Sequence, residues 1–197
     1  MRMTRVPAGL LLCLALAGCA QAPVPPDRFY RLLPSAPPAL DRPALPGTLL
    51  VKRFSADGVL AQRAMVHADA AAPGVLYQYH YHFWADAPTA LLQAVTVQAL
   101  RAARVAREVV TPELGVDARY ELVGRVRRLE HLLGDAPAAA VSLELIITSA
   151  EREAPLVVGD YQLTLPVADA SVDTAVDAMS EAVGRILAQF VSSLPRP

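Results

Sequence analysis

YELVGRVRRLEHL at residues 120–132, AAVSLELIITS at 139–149 and LVVGDYQLTLP at 156–166 decide how this chain folds. All three alternate apolar and polar side chains. In an extended strand successive side chains point to opposite faces, so a period of two gives each segment one face for a core. Tyr120, Leu122 and Val126 fall on one side of the first segment, against Arg119, Glu121, Arg125 and Arg127 on the other. Val141, Leu143, Leu145 and Ile147 share a face in the second, and Tyr161, Leu163 and Leu165 in the third. A turn at Gly134–Pro137 and the polar Glu151-Arg152-Glu153 separate them. Sequential strands joined this closely predict an antiparallel meander.

Downstream, the period changes. Val172, Ala175, Val176, Met179, Val183, Ile186, Leu187, Phe190 and Leu194 recur at helical spacing, predicting an amphipathic helix over 172–194. Ser171 is placed to cap it, and Asp173 suits the positive end of its dipole.

Upstream, short strands are expected at 29–33, 48–54 and 63–67, with a proline-rich loop at 34–46 and a turn at Asp57-Gly58. The segment 75–84 is the most distinctive. Tyr77, Tyr79, Tyr81 and Phe83 share one face, expected to be buried, and Gln78, His80, His82 and Trp84 share the other. Pro88 then opens a helix expected over 89–107, with Leu92, Val95, Ala99, Ala102 and Ala106 inward and Arg101, Arg104 and Arg107 largely outward. The order is several strands, helix, three strands, helix. The expected fold is therefore α+β, a mostly antiparallel sheet with two helices packed on one face.

The first residues read differently. Arg2 and Arg5 precede an uncharged, mostly apolar run from Val6 to Ala17, too short to span a bilayer. The run ends in Leu16-Ala17-Gly18-Cys19, which resembles the lipobox of bacterial lipoproteins. The expected organisation is a signal peptide at 1–18, an acylated Cys19 with a proline-rich tether over 19–27, and one periplasmic domain over 28–197. An aspartate just after the cysteine favours inner-membrane retention in the lipoproteins this chain resembles. Here that residue is Ala20, which implies the outer membrane. Cys13 and Cys19 are the only cysteines, so a chain cut before Cys19 and modified there is expected to have no disulfide and no free thiol. With 54% hydrophobic residues and a formal charge of −1, the composition supports a core and argues against nucleic acid as a partner.

Chemical motifs are sparse. No G-x-S-x-G elbow, Walker A or G-x-G-x-x-G sequence occurs, which argues against an enzyme. His80 and His82 have a spacing that could offer two imidazoles to one metal, but nothing in the sequence ties a third ligand to them. The expectation is no metal and no cofactor beyond the covalent lipid on Cys19. Trp84 at a strand end and Arg101 and Arg104 on the following helix are the candidate partner-binding residues. The competing reading of Trp84 is a seal for the strand–helix corner.

Phe29-Tyr30-Arg31-Leu32, Arg63 with Met65-Val66, Trp84-Ala85-Asp86-Ala87-Pro88, Arg119-Tyr120-Glu121-Leu122 and Ala178-Met179 together resemble the ABC-type transport auxiliary lipoproteins. Two positions depart from that family's pattern: Phe83 stands where a basic residue is frequent, and His67-Ala68 where Tyr-Arg is frequent. The resemblance implies a non-enzymatic accessory to an MCE-protein and ABC-type system that moves phospholipid between the inner and outer membranes. It would act as a docking component on the periplasmic face of the outer membrane. The implied partners are an MCE-domain protein and the membrane itself, and a homo-oligomer is compatible. The alternative is an assembly lipoprotein that stabilises an outer-membrane complex without touching lipid.

Overall fold

A computed structural model describes residues 24–195. The signal segment, Cys19 and Ala20 lie outside the described residues. In chain order the elements are β1 (Arg28–Tyr30), β2 (Leu45–Val51), β3 (Ser55–Ala56), β4 (Ala64–Asp69), β5 (Ala72–Trp84), α1 (Pro88–Ala102), β6 (Ala106–Val110), β7 (Tyr120–Leu133), β8 (Ala138–Ser149), β9 (Val157–Pro166) and α2 (Val172–Ser192). Short 3-10 turns occupy Gly58–Ala61 and Pro112–Leu114.

The nine strands form one sheet around β7. One edge of β7 pairs antiparallel with β8 from Tyr120 to Leu132, and β8 pairs antiparallel with β9, the meander that the alternation predicts. Three parallel strands share the other edge end to end: β2 against Tyr120–Leu122, β3 against Arg125–Val126, and β4 against Glu130–Leu133. From there the sheet forks, β2 leading to β6 in parallel and β4 to β5 antiparallel, with β1 parallel on β5.

The sheet is thus mixed and curled, which corrects the mostly antiparallel expectation. Alternation records only that one face of a strand is covered. It carries no information about the direction of the neighbouring strand. Parallel neighbours need a long crossover, and α1 lies on the connection that carries the chain from β5 to β6.

Both helices join the sheet in a single hydrophobic core. α1 packs on β6, β2 and β7, and α2 packs on β8, β9 and β7. Every residue of the apolar stripe predicted for α2 is buried. Phe190 meets Tyr161 of β9 edge to face at 6.1 Å, and burying a side chain of this size contributes about 2–3 kcal/mol. At the start of α2 the Ser171 hydroxyl accepts from the Thr174 amide at 3.3 Å, the cap expected from the sequence.

α1 ends earlier than expected. Arg104 has φ +53, in the left-handed region. Its amide donates to the Arg101 carbonyl at 3.0 Å and the Val105 amide donates to the Leu100 carbonyl at 3.1 Å. That is a Schellman stop, usually built on glycine. Val105 and Leu100 are both fully buried, supplying the apolar contact that accompanies it. Here the burial of Val105 holds an arginine where a glycine would be less strained, so no residue type marks the helix end. The chain then enters β6, a strand that the continuous helical reading over 89–107 conceals.

Two bulges reset side-chain parity. In β7 one extra residue falls between Val126 and Arg128 relative to β8. The inward set therefore passes from Tyr120, Leu122 and Val126 to Leu129 and His131. In β5, Phe83 pairs with Ala64 and Gln78 pairs with Val66, so Tyr79–His82 all lie opposite the single residue Met65. A shift by an odd number of residues exchanges the two faces of a strand.

Candidate functional site

The β5 bulge decides the place of Trp84. The strict alternation expected from the sequence puts Trp84 on an open face. After the bulge it turns into the core and is 1% exposed. Its amide donates to the Arg63 carbonyl at 2.7 Å. Arg63 in turn donates from Nε to the Trp84 carbonyl at 3.2 Å and from Nη2 to the Ala85 carbonyl at 2.9 Å. The Ala85 amide donates to Tyr30 of β1 at 2.7 Å. Trp84 therefore fills the corner between β5 and α1, and the expectation that its ring projects from the surface is corrected.

The three arginines expected on one helix face occupy three different settings. Arg101 ends α1 and donates from Nε to the Val109 carbonyl of β6 at 2.8 Å, which ties the helix to the strand. Arg104 sits in the left-handed stop, and Arg107 lies on β6. They still converge, lining a shallow hollow of 360 Å³ with Glu108 and Val110. Arg104 and Arg107 are exposed there. The hollow is a cationic corner suited to an acidic side chain or a phosphate.

Sequence reasoning leaves His67 and His131 unrelated, yet they pair directly across β4 and β7. His131 is fully buried by the β7 bulge. Its Nδ1 shares a 2.9 Å hydrogen bond with the Tyr79 hydroxyl, and its Nε2 has no protein partner. His67 stacks on Tyr77 at 5.4 Å and lies 4.5 Å from the Tyr79 ring. His82 extends the cluster by a 2.9 Å bond from Nδ1 to the Tyr30 hydroxyl and a T-shaped contact with Tyr79 at 5.3 Å. Tyr79 is thus only half-buried among imidazoles, and Tyr77 is 54% exposed, so the tyrosine face is not the core face it was expected to be.

Burial drives the electrostatics of this cluster. It pulls the His131 pKa below the ordinary imidazole value, helped by repulsion from His67 and opposed by Asp169. It lowers His67 likewise. The Tyr79 phenol is pushed up to about 12, by burial first and by Tyr30 second. Burial and Asp173 raise Tyr30 against the pull of Arg28. At neutral pH these groups are therefore uncharged. Among the described residues no group of three or more His, Cys, Asp or Glu side chains is placed to hold a metal ion. His80 and His82 do not act together: His82 belongs to Tyr30, while His80 is exposed beside Tyr81.

A third feature lies at the other end of α2. The proline-rich loop is strapped across the helix. The Leu33 amide donates to the Ser180 hydroxyl at 3.1 Å, and the Leu40 amide donates to the Ala103 carbonyl at 2.9 Å. Gly184 permits this, because a Cβ there would stand 3.1 Å from the Ser35 carbonyl oxygen. Beyond the strap, Pro38, Leu40, Ala44, Val191 and Leu194 line a largely apolar groove of 760 Å³. None of the described helices is long and apolar enough to cross a membrane.

The model of one family, described as the ABC-type transport auxiliary lipoprotein component, matches residues 30–191. A crystal structure of a DUF330-family protein from Xanthomonas campestris superposes with a TM-score of 0.73 at 20% identity, covering 85% of this chain and 95% of that one. A second crystal structure, of an uncharacterised protein, gives 0.63 at 16% identity, covering 85% and 98%. PelC from Paraburkholderia phytofirmans, crystallised as a dodecamer, gives 0.49 at 14% identity, covering 83% and 95%. At these identities the likeness is one of fold. No curated protein matches the chain.

Proposed function

Because this chain belongs to the ABC-type transport auxiliary lipoprotein family, we propose that it is the outer-membrane docking component of an MCE-protein and ABC-type system that moves phospholipid between the two membranes. The observation that carries the reading is the extent of the family match, which runs from the end of β1 into the last turns of α2. The lipobox-like Leu16-Ala17-Gly18-Cys19 supplies an anchor, and Ala20 directs it to the outer membrane. Several acyl chains on one cysteine hold a protein stably, since each buried CH₂ contributes about 0.8 kcal/mol.

In this reading the chain contributes adhesion and placement, and no chemical step. Its surface for the MCE-domain partner is the cationic corner at the end of α1. Arg104 and Arg107 are the side chains free to reach an acidic patch, and Arg101 holds the corner in shape. Trp84 drops out of that surface because it is buried, and it acts through the rigidity of the β5–α1 corner. Co-purification of the full acylated chain with the MCE-domain protein encoded beside it tests the assignment. Wild-type protein is expected to retain the partner. Arg104→Glu with Arg107→Glu should weaken retention at least about tenfold, the equivalent of 1.4 kcal/mol, with an unchanged melting temperature. Failure of the wild-type chain to retain any MCE partner overturns the transport reading. Full retention by the double variant moves the surface elsewhere.

A further inference from the structure

We propose that the β4–β5 hairpin is a second membrane contact, its tip seated in the headgroup region of the same bilayer that holds the acyl anchor. The inference rests on the acylated Cys19 of the reading above and goes beyond it, because it fixes which end of the domain faces the lipid.

The hairpin has an unusual surface. From Ala70 to Ala85 there is no Asp, Glu, Lys or Arg. Near its tip Val75 is 49% exposed, Leu76 37% and Tyr77 54%, with His67 stacked on one side of the Tyr77 ring. β1 pairs with His82–Trp84, so among the described residues the outer edge of β5 from Ala72 to Tyr81 is open. An open edge in water is normally guarded by charged side chains. This one carries tyrosines and histidines instead, side chains that combine an apolar body with a polar tip, and tyrosine settles at membrane–water interfaces.

The direction of the N-terminal strand selects the bilayer as the occupant. β1 runs parallel to β5, with Arg28 opposite His82 and Tyr30 opposite Trp84. The chain before Arg28 therefore departs toward the start of β5, which is the hairpin tip. Residues 19–27, fully extended, reach about 30 Å at roughly 3.3 Å per residue. With its two bulges, the strand from Phe83 back to Ala72 spans only the advance from Ala64 to Asp69 on β4, about 17 Å at roughly 3.3 Å per residue. A bilayer holding the acyl chains of Cys19 is thus within reach of Val75 without strain on the tether. Phe29, exposed on β1 and stacked on Phe83 at 5.8 Å, continues the apolar surface along this side.

The same end of the molecule also excludes one kind of membrane attraction. The Ala70 amide donates to the Leu133 carbonyl, placing the β7–β8 turn with Asp135 beside the hairpin turn. Asp69 stands in that turn, where its carboxylate accepts from the Ala71 amide at 2.8 Å, and Asp169 precedes α2 near His131. These carboxylates offer nothing to anionic lipid, so the contact is apolar and aromatic and fits neutral headgroups.

Acylated full-length Val75→Trp protein in phosphatidylcholine vesicles, with spin-labelled lipid as quencher, tests the proposal. Trp84 is buried and provides the background, measured in the unsubstituted chain. The introduced indole should emit at shorter wavelength and be quenched more by a shallow label than a deep one, as expected for burial about 5–10 Å into the interface. The same substitution at Val123, exposed on β7 away from the tip, should remain unquenched, and adding anionic lipid should not strengthen quenching. If the chain floats with vesicles while the indole at 75 stays unquenched, the hairpin contact is overturned and the anchor stands. A chain that does not float at all overturns the acyl-anchor reading, and this contact with it. A blue shift that rises with protein concentration in detergent, without lipid, assigns the tip to a second copy and overturns the proposal.

Discussion

The β7–β9 meander and the β4–β5 hairpin are both antiparallel and both read from the sequence as alternating strands, yet alternation describes the first, apart from one bulge in β7, and fails in the second. In the meander β8 pairs with β7 and β9 along nearly its whole length, and α2 covers one face. A register slip would turn Val141, Leu143, Leu145 and Ile147 out of the core together, so burial fixes the register. The hairpin has no helix over its tip. Its register slips by three residues around Met65 and again near Asp69. The outcome is a buried Trp84 at one end and an exposed Val75-Leu76-Tyr77 at the other. Where one face is covered throughout, period two is a reliable rule. Where cover is partial, bulges are tolerated and the faces exchange.

The largest expected effect tests the covered region. Phe190 is fully buried near the end of the stripe beneath the meander, and Phe190→Ala should cost about 3–5 kcal/mol, read as a clear fall in melting temperature. Arg185 forms an exposed i,i+4 pair with Glu181, and Arg185→Ala should change stability by less than about 0.5 kcal/mol. Equal effects of the two would break the contrast between a helix-covered meander and its solvated face.

A smaller effect belongs to the hairpin. His67 and His131 have folded pKa values below the ordinary imidazole value, chiefly through burial. The unfolded chain therefore binds more protons as pH falls below about 6.5, and stability rises with pH in that window. The stabilisation is complete above about pH 6.5 and is lost as pH falls from there toward the folded pKa values. Thermal unfolding should show this loss, with hydrogen exchange increasing first in β4 and β5. His131→Asn, which can keep a partner for the Tyr79 hydroxyl, should flatten the pH dependence. An unchanged profile would remove the cluster as its source.

The smallest effect concerns the helix stop that sequence periodicity passes over. Arg104→Gly relieves a left-handed arginine but gives the unfolded chain more freedom. The net gain should be no more than about 1 kcal/mol, seen as a slight rise in melting temperature. A loss of stability instead would mean that the arginine side chain holds the corner.

Much of the architecture was legible because it is local. The cap at Ser171 and the stripe ending in Phe190 and Leu194 depend on neighbours within a few residues, and so do the alternating faces of β8 and β9. The candidate surfaces were less so. Arg101, Arg104 and Arg107 line one hollow, but the helix that periodicity extends through them stops before two of them. Without glycine at the stop, nothing in residue type distinguished Arg104 from a helical arginine.

The sequence by itself determined the elements with one covered face, the order of most strands and the two helices, and the motif that would anchor the chain. Only the tertiary structure decided that β2, β3 and β4 lie parallel along one edge of β7, that His67 meets His131, and that Trp84 is buried. The reason is physical. Hydrophobic periodicity is written along one strand, whereas pairing direction, register and bulges arise between strands far apart in the chain, where packing of the whole core selects them.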